Sequence, residues 1–386
     1  MIHDSRVSLA RSARLSATIL LTAALAGCSV FSMFSGPSKP QPAELQPVTA
    51  LVSARQSWVT RVGNINFPAE MGVSGSTVAV ASGDGTVALL DAASGRDIWR
   101  VALNTGIAAG AGNDGKVVAV VTRANEVVAL QDGRELWRQK LGAQAFTAPF
   151  VAGSRVFVLA ADRSVNAFDG QTGRKLWTQQ RPNEPLVLRQ SGVMLAVGDT
   201  LVVGLSGRLA GLNPTNGSIR WEAPIASPRG INDVERLVDL VGRVSRQGDV
   251  VCARAFQTGI GCVNAARGAV LWTKPANGVQ GIDGDDRALF GTEADGTVNA
   301  WKRTDGERLW STDKLRFRSL TAPLVVGRSI AMGDFAGFIH LLSREDGSLL
   351  NRLPTDGSAI ASSPVLVGNT LVVLTQNGGV YGFQPQ

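Results

Sequence analysis

VAGSRVFVLAADRSVNAFDGQTGRKLW, Val151–Trp177, decides the fold. Read from its start, it gives a tight turn, a strand, a hairpin, a second strand and an Asp…Gly turn running into a short strand that carries Trp177. Alternation and β-branched residues support strands, and glycine supplies the positive φ that tight turns need. The same ending recurs along the chain: DAASGRDIW (Asp91–Trp99), DGRELW (Asp132–Trp137), NPTNGSIRW (Asn213–Trp221), NAARGAVLW (Asn264–Trp272) and KRTDGERLW (Lys302–Trp310). SREDGSLLN (Ser343–Asn351) keeps the turn without the tryptophan, and SARQSW ends at Trp58 with the tryptophan but no preceding turn.

From Trp58 the steps are 41, 38, 40, 44, 51, 38 and 41 residues, the last landing on Asn351. Eight units of about forty residues fit propeller blades of four antiparallel strands. The last unit stops at Gln386 before any outer strand, whereas Trp58 has an outer strand and no blade before it. The expected fold is therefore all-β: an eight-bladed β-propeller, four antiparallel strands per blade, with the N-terminal strand closing the last blade. One tryptophan at one place in most units serves inter-blade packing, since each indole buries a large area against its neighbour.

The chain opens differently. Arg6, Arg11 and Arg14 precede the apolar run LSATILLTAALAG, Leu15–Gly27, which is too short to span a bilayer. It ends LAGC, with Leu25, Ala26 and Gly27 before Cys28, and resembles a bacterial lipobox, whose cysteine thiol receives diacylglycerol. Ser29 follows rather than the aspartate that would imply inner-membrane retention, so the expectation is an outer-membrane anchor facing the periplasm. The Pro- and Ser-rich stretch after it reads as a flexible tether. The expected domains are a lipoprotein signal peptide over 1–27, a lipid-anchored tether over 28–50 and the propeller over 51–386.

Removal of residues 1–27 takes away three Arg and one Asp, and the net charge falls from +7 to +5. The basic residues lie singly (Arg96, Arg134, Arg174, Arg220, Arg308), each near a tryptophan strand, where charge protects an edge from unwanted pairing. A nucleic-acid binder concentrates them in a stripe with interleaved aromatics, so no nucleic-acid partner is expected. His340 is the only histidine after residue 27, which excludes multi-histidine metal sites and most general-base arrangements. The sequence contains neither a G-x-S-x-G elbow nor a P-loop, and its aspartates fall mostly in turns. A non-enzymatic chain without metal or cofactor is expected. Cys252 and Cys262 lie on two strands of one hairpin, where a cross-strand disulfide and two buried free thiols are equally open readings.

Two units are longer than the rest. From the tryptophan to the next regular strand the interval is 18 residues at Trp99 and 19 at Trp137, against 24 at Trp177 and 29 at Trp221. Both insertions precede an innermost strand, so both emerge on one face from adjacent blades. In EPLVLRQ an extended backbone would send Leu186 and Leu188 to one side and Val187 to the other, with Arg189 a charge-assisted donor beside them.

The G-x-x-x-W repeat resembles that of pyrroloquinoline-quinone (PQQ) dehydrogenases, but the chain lacks the adjacent-cysteine pair of those enzymes and is shorter. A periplasmic PQQ-type quinone- or ligand-binding propeller is the second reading. Lipobox, tether and the eight-unit ring together resemble the BamB family of lipoproteins of the outer-membrane β-barrel assembly (BAM) machinery. That resemblance implies a scaffold that binds the periplasmic POTRA domains of BamA, with nascent outer-membrane proteins and outer-membrane lipid as further contacts. It implies that Leu186, Leu188 and Arg189, matching an L-x-L-R loop, contact the partner together with Asp239. Val241 stands where a second Asp is expected, and Asp233 and Glu235 lie close enough to compensate.

Overall fold

Every blade carries a middle pair of strands that reads as a run of small apolar residues rather than as an alternation. Thr77–Ala81 is TVAVA and Val118–Val121 is VAVV, each buried on both faces apart from Thr77. A strand flanked by the sheets of two neighbouring blades has no solvent face, so its pattern becomes continuous. The outermost strands alternate, as in Lys175–Gln179, where Trp177 is buried and Lys175 and Thr178 are exposed. The computed structural model describes residues 40–180, 186–228, 232 and 236–385, and in it these strands form eight four-stranded antiparallel sheets, seven of them in chain order from axis to rim. Cys28 and the signal segment lie outside the described residues. We number blade 1 from Gly72 and blade 8 from Val365.

Blade 8 is closed as expected. Its outermost strand is Ala54–Arg61, paired antiparallel with Gly379–Pro385, Trp58 lying opposite Gly382. An all-β eight-bladed propeller is thus the fold.

The repeated Asp…Gly…Trp pattern is one inter-blade joint. In blade 3, the Asp169 carboxylate accepts from the backbone N–H of Thr172 at 2.9 Å and of Gln171 at 3.1 Å, shaping the turn. Gly173 has φ of +70°, and a Cβ there would sit 2.6 Å from the Trp137 ring of blade 2. Trp137 Nε1 donates to Gly170 O of the same turn at 2.9 Å. Trp58, Trp177, Trp272 and Trp310 make the same bond to the next blade, at 3.0, 3.0, 2.8 and 2.9 Å.

The missing eighth tryptophan follows from ring closure. Blade 8 has no covalent turn between its last two strands, because one ends at Pro385 and the other begins at Ala54. Asn351 of blade 7 instead donates from Nδ2 to Val52 O at 2.8 Å. The residues leading to Val52 are docked. Ala43 N donates to Arg316 O at 2.9 Å, Arg318 Nη1 donates to Ala43 O at 3.1 Å, Leu45 packs on the blade 6–7 core, and Leu51 N donates to Leu350 O at 2.8 Å. The stretch expected to be slack up to residue 50 is therefore bound to the ring from Ala43 onward, a correction to the tether boundary. Its proline content frees it from regular structure, but its carbonyls find arginines.

Candidate partner-binding site

The two long connections run over residues 180–193 and 225–239, between blades 3 and 4 and blades 4 and 5, against 141–149 for the connection before them. Residues 181–185, 229–231 and 233–235 lie outside the described residues, and with them the start of the first loop and Asp233 and Glu235. Part of the second insertion is not loop. The innermost strand of blade 5, Leu240–Gln247, has a register shift between Val241 and Ser245 that absorbs extra residues as a bulge.

Leu186 and Val187 are both exposed, at 41 % and 36 %, while Leu188 is partly buried. The expected arrangement, both leucines on one side, is corrected by the backbone's own bonds. Asp239, only 8 % exposed, accepts from Leu188 N at 2.9 Å and from Arg163 Nη1 at 2.7 Å. Arg163 Nη2 donates to Leu186 O at 2.8 Å. One buried ion pair therefore holds the loop's donor and its acceptor, and Val187 and Leu188 both line a cavity of about 40 Å³ beside Leu159 and Leu240. Arg189 remains exposed. Asp239 is thus a buried support for the loop rather than an acid presented to solvent.

Arg163 escaped the sequence reading, although a signal for it existed. It occupies the hairpin tip of blade 3 at φ +61°, where blades 1, 6, 7 and 8 place Gly85, Gly296, Gly337 and Gly378 and blade 2 places Asn125. A non-glycine residue in the left-handed region is costly and persists where its surroundings hold it. ADRS, in place of GDGT or ADGT, was the visible mark.

Val241 is 1 % exposed, so this position is no surface contact either. It lies directly opposite Arg254 in the ladder. Arg254 is fully buried, donates to Thr292 O at 2.6 Å, lies over the Trp301 ring at 5.4 Å, and has Glu293 3.6 Å away. Burial outweighs the pull of Glu293 and pushes the guanidinium pKa down to about 10. Cys252 and Cys262, opposite each other with Cα atoms 4.0 Å apart, are joined by a disulfide.

These features define a class: an eight-bladed propeller of PQQ-like repeats whose one face carries two neighbouring long loops. A PQQ-repeat family model described as outer membrane protein assembly factor BamB matches residues 83–312. The chain is 38 % identical to outer membrane protein assembly factor BamB of Burkholderia pseudomallei, over 89 % of this chain and 92 % of that one. It is 36 % identical to that of Bordetella pertussis, over 98 % of both chains. The crystal structure of BamB from Moraxella catarrhalis superposes with a TM-score of 0.79 at 22 % identity, covering 86 % of this chain and 99 % of that one. The chain belongs to the BamB family of outer membrane protein assembly factors.

Proposed function

We propose that this chain is a non-catalytic scaffold of the outer-membrane β-barrel assembly complex, which binds the POTRA domains of BamA and assists the folding and insertion of outer-membrane proteins. Cleavage after Gly27 and acylation of Cys28 would hold it at the periplasmic face of the outer membrane, residues 51–386 forming the ring. Membership of the family supports the assembly role.

One observation carries the contact surface. Exposed Leu186 and Val187 sit on a backbone pinned by two buried charges, with Arg189 exposed beside them. An apolar pair kept in water by internal bonds is preorganised, and preorganisation lowers the ordering cost of binding. Leu188 then serves as the loop's root, and Asp239 acts through the loop.

Co-purification with BamA tests this. Leu186→Ala with Arg189→Glu removes the apolar contact and reverses the charge, and the expected outcome is loss of about 2 kcal/mol or more of binding, roughly thirty-fold, with an unchanged circular dichroism spectrum. Undiminished association would remove the loop from the interface.

A further inference from the structure

The bulge of blade 5 is unlike anything in the other blades. Between innermost strand and neighbour, the other seven blades pair in continuous register. In blade 5 the ladder skips from Val241 opposite Arg254 to Ser245 opposite Cys252, so Gly242, Arg243 and Val244 face the single residue Ala253. Bulges of this kind re-aim a side chain.

Glycines make room for it. A Cβ on Gly281 would lie 2.3 Å from Arg243 N and O, and one on Gly242 would lie 2.6 Å from Gly192 O. The bulged backbone is bonded on both sides: Gly242 N donates to Ser191 O at 2.9 Å, and Ile282 N donates to Arg243 O at 3.0 Å. The consequence is that Arg243 lines an axial cavity of about 860 Å³, walled by the innermost strands of blades 1 to 5 and 8 and by connecting residues such as Gln280 and Leu320. Its guanidinium is fixed by Asp283 at 3.3 Å and by Pro364 O at 3.1 Å.

The rest of the wall is also polar and held. Glu70 is partly buried there; burial raises its pKa, against hydrogen bonds from Ser191 and the Ala148 backbone and the charge of Arg243. Arg189 lines the same cavity, and next to it Gln190 Nε2 donates to Val279 O at 2.8 Å. Arg243 and Arg189 thus both line a water-accessible axial space whose other charged wall group resists ionisation.

We propose that the axial cavity is a binding site for a carboxylate, held by Arg243 with Arg189 nearer the loops. Guanidinium forks match the planar carboxylate in two parallel bonds. Asp283 beside Arg243 keeps the excess of positive charge small, which suits a singly charged group better than a phosphate dianion. The carboxylate comes from a small organic acid or from a polypeptide C-terminus. This site shares Arg189 with the 186–189 loop but neither Leu186 nor Val187.

Calorimetry and ligand-observed NMR on the purified mature chain test it with three probes: acetate, N-acetyl-tetra-alanine with a free C-terminus, and its C-terminal amide. The expected result is saturable binding of the free acid and none of the amide. Displacement of the peptide by acetate at similar concentration assigns a small acid; failure of acetate to compete assigns a chain end. Arg243→Gln should weaken binding at least about ten-fold. Glu70→Gln should tighten it by holding that position neutral at every pH, and Leu186→Ala should leave it unchanged. Should Arg243→Gln misfold by circular dichroism, Arg189→Gln and Glu70→Gln carry the same decision with opposite signs. Equal binding of acid and amide, no saturable binding by the wild-type chain, or indifference to these substitutions would overturn the proposal.

Discussion

The ring departs from its repeat in two sectors, and they handle the departure in opposite ways. At the seam, blades 7 and 8 lack one tryptophan and one covalent turn, and the chain fills both gaps from within. Asn351 takes the Val52 carbonyl, and Leu51 bonds to Leu350, which is 7 % exposed where its counterparts Ile98 and Leu309 are 52 % and 51 %. Between blades 3 and 5 the reverse holds. There, buried charges keep apolar side chains out in water. An irregularity whose loose ends are all internally satisfied belongs to the fold; one that invests internal bonds in exposed side chains points outward.

The largest effect tests the second half of that contrast. Asp239→Ala takes one buried carboxylate from Arg163 and frees Leu188 N–H. Removing one member of a buried pair costs about 3–5 kcal/mol, so a marked fall in urea midpoint is expected. Capture of BamA should fall further than lost stability explains, measured at a temperature where circular dichroism reports a folded ring. Retained capture by such a folded variant would mean that Leu186 and Val187 do not depend on their support.

Much of the ring was legible because its joint is local in sequence. The Asp…Gly…Trp spacing sets one turn, one glycine conformation and one indole bond, and it recurs with each blade. The closing strand was legible from two incomplete ends. The site was only half legible. Loop lengths placed two insertions side by side, but the side to which Leu188 turns depends on Arg163, distant in sequence, and on the backbone bonds of Leu186 and Leu188. Asp239 carries the composition of a contact residue and the position of a support. The docking of Ala43–Val52 was invisible for a related reason: proline-rich composition reports the absence of regular structure, not the carbonyl acceptors that Arg318 and Asn351 find.

A smaller effect is expected at the seam. Asn351→Ala removes two hydrogen bonds, the one Nδ2 donates to Val52 O and the one Oδ1 accepts from Arg352 N, a loss of about 1–2 kcal/mol. It should leave BamA capture unaltered, while cleavage by a non-specific protease within residues 43–53 should accelerate. A loss of capture comparable to that of Leu186→Ala would dissolve the distinction between the two sectors.

Val241→Asp asks whether the insertion sector tolerates a second acid. The new carboxylate would stand directly across the ladder from Arg254, whose guanidinium burial already pushes toward deprotonation. An ion pair formed there should offset most of the cost of burying the aspartate, so a change within about 1 kcal/mol is expected. A loss of several kcal/mol would show that Arg254 cannot turn toward position 241. No gain in BamA capture is expected, because the position is buried.

The mildest effect is a pH slope arising beneath the seam. His340 is fully buried, its Nε2 3.0 Å from Asp334 Oδ2, and Asp334 in turn binds Arg318, which holds Ala43 O. Burial lowers the imidazole pKa below its ordinary 6.5, the charges of Arg352 and Arg318 add to that, and Asp334 opposes them. The folded ring therefore keeps His340 neutral while the unfolded chain takes up a proton near pH 6.5. Unfolding is favoured as pH falls through that value, and the slope ends once pH drops below the folded-state pKa. His340→Gln preserves a donor for Asp334 and cannot titrate. Its melting temperature should lie below that of the wild type at pH 8, and the difference should narrow toward pH 5.5. A wild-type melting temperature that rises relative to that of His340→Gln as pH falls from 7 to 5.5 would mean that the imidazole is already protonated in the fold. The Asp334–Arg318 link to Ala43 would then be a charged triad rather than an ion pair with a neutral neighbour.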